Sequence, residues 1–178
     1  MKPALLDSRA RAVIEHEAVK RRLFETGGGL FGWEDDKTLV VACASGPGPR
    51  AKHRPRSFEP RRGTTAATMQ AVQDASGGRY GFLGSWHTHP LAAPKPSSID
   101  TGTAQAMATQ EDLRVAAPLL LILATTGTRL RVEAAGLRAW RWEPVQGCLV
   151  AVELSECRLE ERFCPPEEQL FVYRRCAS

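Results

Sequence analysis

The stretch Gly84-Ser85-Trp86-His87-Thr88-His89 is followed, after the seven residues 90–96, by Ser97-Ser98-Ile99-Asp100. Two histidines spaced i, i+2 on a strand project from one face, about 6–7 Å apart. Their imidazoles can then converge on one tetrahedral zinc with bonds of about 2.0–2.1 Å. Asp100 follows a loop that can return to the strand end, which makes a third protein ligand and leaves a fourth position for water. Each piece alone says less. An isolated HxH is a weak signal, Ser97-x-x-Asp100 alone reads as helix capping, and Pro90 and Pro96 alone mean a stiff loop. Together they bracket one strand end and one helix start, the arrangement an open metal site requires. Even where zinc lowers the pKa of water from 15.7 to about 7, a base must take the proton and pass it on. Glu25 is the candidate: it stands ahead of the apolar, glycine-rich Gly27-Gly28-Gly29-Leu30-Phe31-Gly32-Trp33, where a core would prefer another residue. By itself it would read as a surface glutamate at a helix end.

Positioning these groups falls to a succession of short elements. Residues 8–22 carry Ala10, Val13, Ile14 and Ala18 among charges, and predict a helix that Ser8 could cap. Residues 27–33 and 38–44, joined by a charged turn, predict a hairpin, and its glycines allow another backbone to approach closely. A long Pro/Arg loop is expected over 46–62, then a helix over 64–76 ended by Gly77-Gly78. The histidines fall on a strand over 80–89. An extended loop, a helix over 98–113 and a buried strand over 119–124 follow. Thr126-Gly127-Thr128 turns the chain into strands expected over 129–133, 137–143 and 145–154, with Phe171-Val172-Tyr173 as a short closing strand. The order α-β-β-α-β-α-β-β-β points to an α/β (α+β) fold, a mixed sheet flanked by helices. The 178 residues fit a single domain.

Composition narrows the setting. With 43% hydrophobic residues the chain can bury a core without staples. The amino terminus has no apolar h-region, so no secretory signal is expected. The longest apolar run, over 115–124, falls short of the ~20 residues of a membrane span. The five cysteines are irregularly spaced, which argues against a disulfide framework and for reduced thiols in a bacterial-type cytoplasm. Cys148, Cys157, Cys164 and Cys176 could offer a second, structural zinc site, although they lack the tight ligand pairs such sites carry. The net charge of +4 is concentrated in Arg50-Ala51-Lys52-His53-Arg54-Pro55-Arg56 and on towards Arg61-Arg62. That run reads as a solvated loop, or else as a contact for an acidic protein surface. Only Phe58 interleaves to stack on bases, which argues against nucleic acid.

Glu25 ahead of its glycine-rich strand, His87-Thr88-His89, and Ser97-Ser98-Ile99-Asp100 after seven residues resemble the JAMM motif of the JAB/MPN metalloprotease superfamily. The resemblance implies a JAB/MPN-like (cytidine-deaminase-like) architecture with a largely antiparallel sheet, a motif core over about 8–143 and an extension over 144–178. It implies that His87, His89 and Asp100 hold one catalytic Zn2+, that Glu25 is the general base and acid, and that Ser97 hydrogen-bonds the oxyanion. Trp86 and Pro90 match hydrophobic supports that flank the histidines. The implied activity is hydrolysis of a peptide or isopeptide bond, often after the C-terminal glycine of a ubiquitin-like protein, whose extended tail would add a strand in a groove flanked by the glycine-rich segment and the loop Pro90–Pro96. The WHTHP core is most similar to stand-alone bacterial enzymes. These accompany ubiquitin-activating and ubiquitin-conjugating-like enzymes in anti-phage operons, including those with a cyclic-oligonucleotide synthase (CBASS). A sulfur-carrier, phage or cell-wall substrate is the alternative, as is a zinc-binding adaptor that cuts nothing.

Overall fold

The computed structural model describes residues 2–61, 63–128, 131–161 and 163–166. Its backbone is one eight-stranded mixed sheet in the order β10-β1-β3-β2-β6-β7-β8-β9. The strands are β1 (Ala4–Asp7), β2 (Gly27–Glu34), β3 (Leu39–Ala44), β6 (Gly81–Pro90), β7 (Leu119–Gly127), β8 (Val132–Glu143), β9 (Cys148–Val152) and β10 (Leu154–Cys157). The β10/β1, β1/β3 and β6/β7 pairs are parallel and the other pairs antiparallel. A separate antiparallel ribbon pairs β4 (Lys52–Arg54) with β5 (Ser57–Glu59). The helices are α1 (Ser8–Arg21), α2 (Thr64–Ser76) and α3 (Ser98–Thr109).

Strand alternation assigns neighbouring residues to opposite faces of the sheet. Leu30, Val41, Leu83, Leu119, Leu121 and Leu123 meet Ala10, Ile14 and Ala18 of α1 on one face. Phe31, Ala42, Cys43 and Phe82 meet Val72 and Met69 of α2 and Met107 of α3 on the other. β7 is buried on both faces from Leu119 to Thr125, so it reads as an unbroken apolar run rather than an alternation. The expected mixed α/β fold, with helices flanking a curled sheet, is the one observed.

Several local expectations change. Asp7, not Ser8, caps α1: its carboxylate accepts from the Arg9 N–H. The loop over 46–62 contains the β4–β5 ribbon. The helix expected to reach 113 stops at Thr109, and a single 3-10 turn over Glu111–Leu113 follows. One strand, β8, spans much of the two expected at 129–133 and 137–143, and the strand expected over 145–154 is the shorter β9, with the unexpected β10 starting at its last residue. The expectation of reduced thiols fails for Cys43 and Cys164, which form a disulfide with Cα atoms 6.0 Å apart. Cys148 and Cys157 are free. The closing strand at Phe171–Tyr173, like Cys176, lies outside the described residues.

Candidate metal centre

β6 carries the two histidines to the end of the sheet. Because successive side chains alternate, His87 and His89 share one face while Trp86 and Thr88 turn into the protein, each 1% exposed. The Trp86 indole N–H donates to the Ser45 carbonyl at 2.8 Å. Thr88 faces Thr26 and joins it twice: the Thr88 N–H donates to the Thr26 carbonyl at 2.9 Å, and the Thr26 N–H donates to Thr88 Oγ1 at 3.0 Å. This latch continues the β2–β6 register, in which Gly27 opposes His87, and so brings Glu25 beside the histidine pair. Gly27 and Gly28, which follow Glu25 and Thr26, leave no room for side chains. A Cβ on Gly27 would lie 2.4 Å from the Trp86 carbonyl oxygen, and one on Gly28 2.0 Å from that of Ser45.

Asp100 arrives from the first turn of α3. Ser97 and Asp100 form a complete capping box: Ser97 Oγ accepts the Asp100 N–H at 3.2 Å, and Asp100 Oδ2 accepts the Ser97 N–H at 2.6 Å. The Ser97 hydroxyl also donates to Asp100 Oδ2 at 2.7 Å. The capping reading and the ligand reading of this motif therefore hold together, since the cap aims the carboxylate at the strand end. The intervening loop is fastened by Leu91 N–H to the Thr125 carbonyl at 3.1 Å and by the Trp140 indole N–H to the Pro94 carbonyl at 3.2 Å.

His87 Nε2 lies 3.0 Å from His89 Nε2 and 3.1 Å from Asp100 Oδ1, and His89 Nε2 lies 3.6 Å from Asp100 Oδ2. A tetrahedral ion with bonds of 2.0–2.1 Å separates its ligands by about 3.3 Å. The cluster is already close to that spacing, and its candidate ligand atoms all lie within 4.8 Å of one another. Ring orientation agrees. His89 Nδ1–H donates to the Ala93 carbonyl at 3.1 Å, which aims Nε2 inward at His87 and Asp100, where it would be a ligand once free of its proton. Burial acts to raise the Asp100 pKa, but hydrogen bonds from His87 and His89 outweigh it and hold the carboxyl far below the usual range. Asp100 in turn raises His89, against the opposing effect of burial. A buried carboxylate and two facing imidazoles draw positive charge into the space between them, and this donor set suits a divalent cation. No comparable cluster forms from the cysteines among the described residues, where Cys164 is joined to Cys43.

Glu25 stands outside the ligand set but close enough to feel it. Burial raises its pKa, Asp100 adds to the rise, and His87 and His89 act against it. Glu25, His87, His89, Ser97 and Asp100 all line one cavity of about 660 Å³, which continues between α2 and α3 past Met69 and Met107. The structure thus brings together every site residue expected from the sequence. It adds Thr26 and Thr88, which sequence reasoning missed. A threonine between two same-face histidines must point inward, where its hydroxyl needs a partner, and that signal was available.

Comparison with known proteins agrees with this geometry. The family of prokaryotic homologues of the JAB domain (Prok-JAB) matches residues 8–143. The chain belongs to that family. Among curated proteins, this Prok-JAB chain is similar to the probable metalloprotease y4qB of Sinorhizobium fredii (strain NBRC 101917 / NGR234), at 29% identity over 101 residues. The match takes in 56% of this chain and 62% of that relative's length. Among solved structures, the solution structure of protein DSY2949 from Desulfitobacterium hafniense superposes with a TM-score of 0.58 at 18% identity. It covers 88% of this chain and 94% of the other, a likeness of fold.

Proposed function

We propose that this Prok-JAB protein is a zinc-dependent peptidase or isopeptidase acting on the bond after the C-terminus of a ubiquitin-like modifier, by precursor processing or target deconjugation. The observation that carries the reading is Glu25 opening onto the same cavity as His87, His89 and Asp100. An adaptor that only held zinc would need no such carboxylate. His87, His89 and Asp100 would hold the ion, which when bound supplies Lewis-acid polarisation and acidifies water to a pKa of about 7. Glu25 accepts the proton of the attacking water and delivers it to the leaving amine. Its burial makes the carboxylate a stronger base than an exposed glutamate. Ser97, whose hydroxyl proton rests on Asp100, turns it toward the developing oxyanion, a contribution of about 3–4 kcal/mol for comparable donors.

The place for an extended tail shifts from the one expected. β2 pairs with β6 over Gly27–Gly32 and with β3 over Leu30–Glu34, and Ser45 bonds Gly29 and lies against Gly28 beyond that, which leaves little room for a strand to add there. Arg56, Ser57 and Phe58, by contrast, line the cavity, and β5 is paired only with β4 among the described residues. A tail would therefore run beside β5, where the basic residues of the ribbon suit an acidic modifier surface. A cytoplasmic setting and an operon with activating and conjugating enzymes of the anti-phage kind belong to the same proposal. No helix among the described residues is long and apolar enough to cross a membrane.

Full-length, zinc-loaded protein is expected to release a C-terminal extension from a ubiquitin-like fusion, and Glu25→Ala to do so ~10²–10⁴-fold more slowly. An uncut fusion, or equal rates for the two proteins, would reject the peptidase reading.

A further inference from the structure

The basic run over 50–62 contains one histidine that the proposed reaction does not use. His53 sits on β4, paired with Phe58 of β5. Its Nδ1 lies 3.0 Å from the Glu25 carbonyl oxygen. A carbonyl only accepts, so Nδ1 carries the proton and donates. The next residue completes the hold, because the Glu25 N–H donates to the Arg54 carbonyl at 2.8 Å. Both backbone groups of Glu25 therefore end on the β4–β5 ribbon. The residue after it, Thr26, is tied instead to Thr88, between the two histidines of the metal centre. Glu25 is the joint between the ribbon and the metal-bearing strand.

The packing supports that joint. The Phe58 ring lies so close to Gly27 that a Cβ there would come within 2.9 Å of Phe58 Cδ1. The His53 and Phe58 rings are 5.5 Å apart, so both side chains sit on the Glu25–Gly27 side of the ribbon. His53 Nε2 is buried without a hydrogen-bond partner among the described residues, so the bond to Glu25 is the one polar contact that orients the ring. Burial lowers the His53 pKa, the Glu25 bond and Glu17 act against that, and Arg21 reinforces it. A neutral ring with its proton on Nδ1 results.

We propose that His53 is a positioning residue for Glu25: by donating to the Glu25 carbonyl it ties the β4–β5 ribbon to the carboxylate that moves the proton. The proposal rests on the peptidase reading for its catalytic consequence and on the structure alone for the physical link. A carboxylate displaced by even 1 Å loses much of its effect on a proton in flight, so the orientation of the ribbon governs turnover, and through the tail beside β5 it bears on substrate binding as well.

The test compares wild type, His53→Leu and His53→Asn in the full-length, zinc-loaded protein. Asparagine places an amide N–H near the position of Nδ1, whereas leucine removes the donor. Amide hydrogen exchange at Glu25, followed by NMR, requires no catalysis. It is expected to quicken about fivefold or more in His53→Leu and to return towards wild type in His53→Asn. Zinc content should not change in either variant. With a ubiquitin-like domain bearing a C-terminal aminocoumarin amide, kcat should fall ~10–100-fold in His53→Leu, with recovery in His53→Asn. Unchanged Glu25 exchange in His53→Leu, failure of His53→Asn to restore it, or an unchanged kcat would overturn the proposal. If the wild type releases no aminocoumarin the peptidase reading falls, and exchange alone then decides the link.

Discussion

Asp7 and Asp100 are buried carboxylates that both cap helices, yet they serve different ends. Asp100 faces imidazoles and, on the proposed reading, would hold the metal. Asp7, 0% exposed, accepts from Arg9 Nε and Nη2 at 3.0 Å each and from the Leu159 N–H at 3.0 Å. Burial acts to raise its pKa, but the bonds from Arg9 and Leu159 prevail and lower it from 3.8 to about 2. A carboxyl whose folded-state pKa lies below its unfolded value stabilises the fold fully above about pH 4, and that stability disappears as pH falls through about 2. The difference corresponds to about 2 kcal/mol. Urea titrations at stepped pH should show Asp7→Asn less stable than wild type by roughly this amount at pH 6, with the gap closing towards pH 2. A gap independent of pH would mean that the ion pair with Arg9 contributes nothing. The metal cluster was legible because histidine spacing and the Ser-x-x-Asp box are local patterns. Asp7 was not, because its partner Leu159 lies 152 residues away.

At the scale of elements, the glycine-rich strand was legible as a place where backbones meet. Gly28 shows the reason: a Cβ there would sit 2.0 Å from the Ser45 carbonyl oxygen and 2.8 Å from the indole nitrogen of Trp86. Gly28→Ala must move β2 against the end of β3, and should cost about 3 kcal/mol or more by chemical denaturation, together with catalytic activity. A loss below about 1 kcal/mol would show that this contact relaxes easily. The β4–β5 ribbon escaped sequence reading because Lys52–Arg54 and Ser57–Glu59 have no apolar alternation, and Pro55 interrupts them. Its order comes from docking on Gly27 and Glu25, a long-range cause. β1 and β10 were hidden for a similar reason: four residues each, they are fixed by parallel pairing with strands far along the chain.

Across the whole molecule, residues beyond the resemblance finish the fold. β10 closes one edge of the sheet beside β1, and β9 closes the other beside β8. Leu159, Phe163 and Cys164 then lie over the second core, with the Arg79 guanidinium 3.6 Å above the Phe163 ring and Cys164 joined to Cys43. Glu34 pairs with both Lys2 and Arg141 and so ties the amino terminus and β8 to β2. The stretch after Ser155 gave little sign of this, because Leu159, Phe163 and Cys164 follow no strand or helix period and pack with residues of β2, β3 and β6. The sheet held in this way delivers His87, His89 and Asp100 to one point while Glu25 stands just outside it. Metal content of the purified full-length protein and three variants tests that arrangement most directly. Wild type and Glu25→Ala are each expected to retain about one zinc per chain, and His87→Ala and Asp100→Ala to lose most of it. Zinc retained in all four proteins would contradict the assignment and place the metal elsewhere.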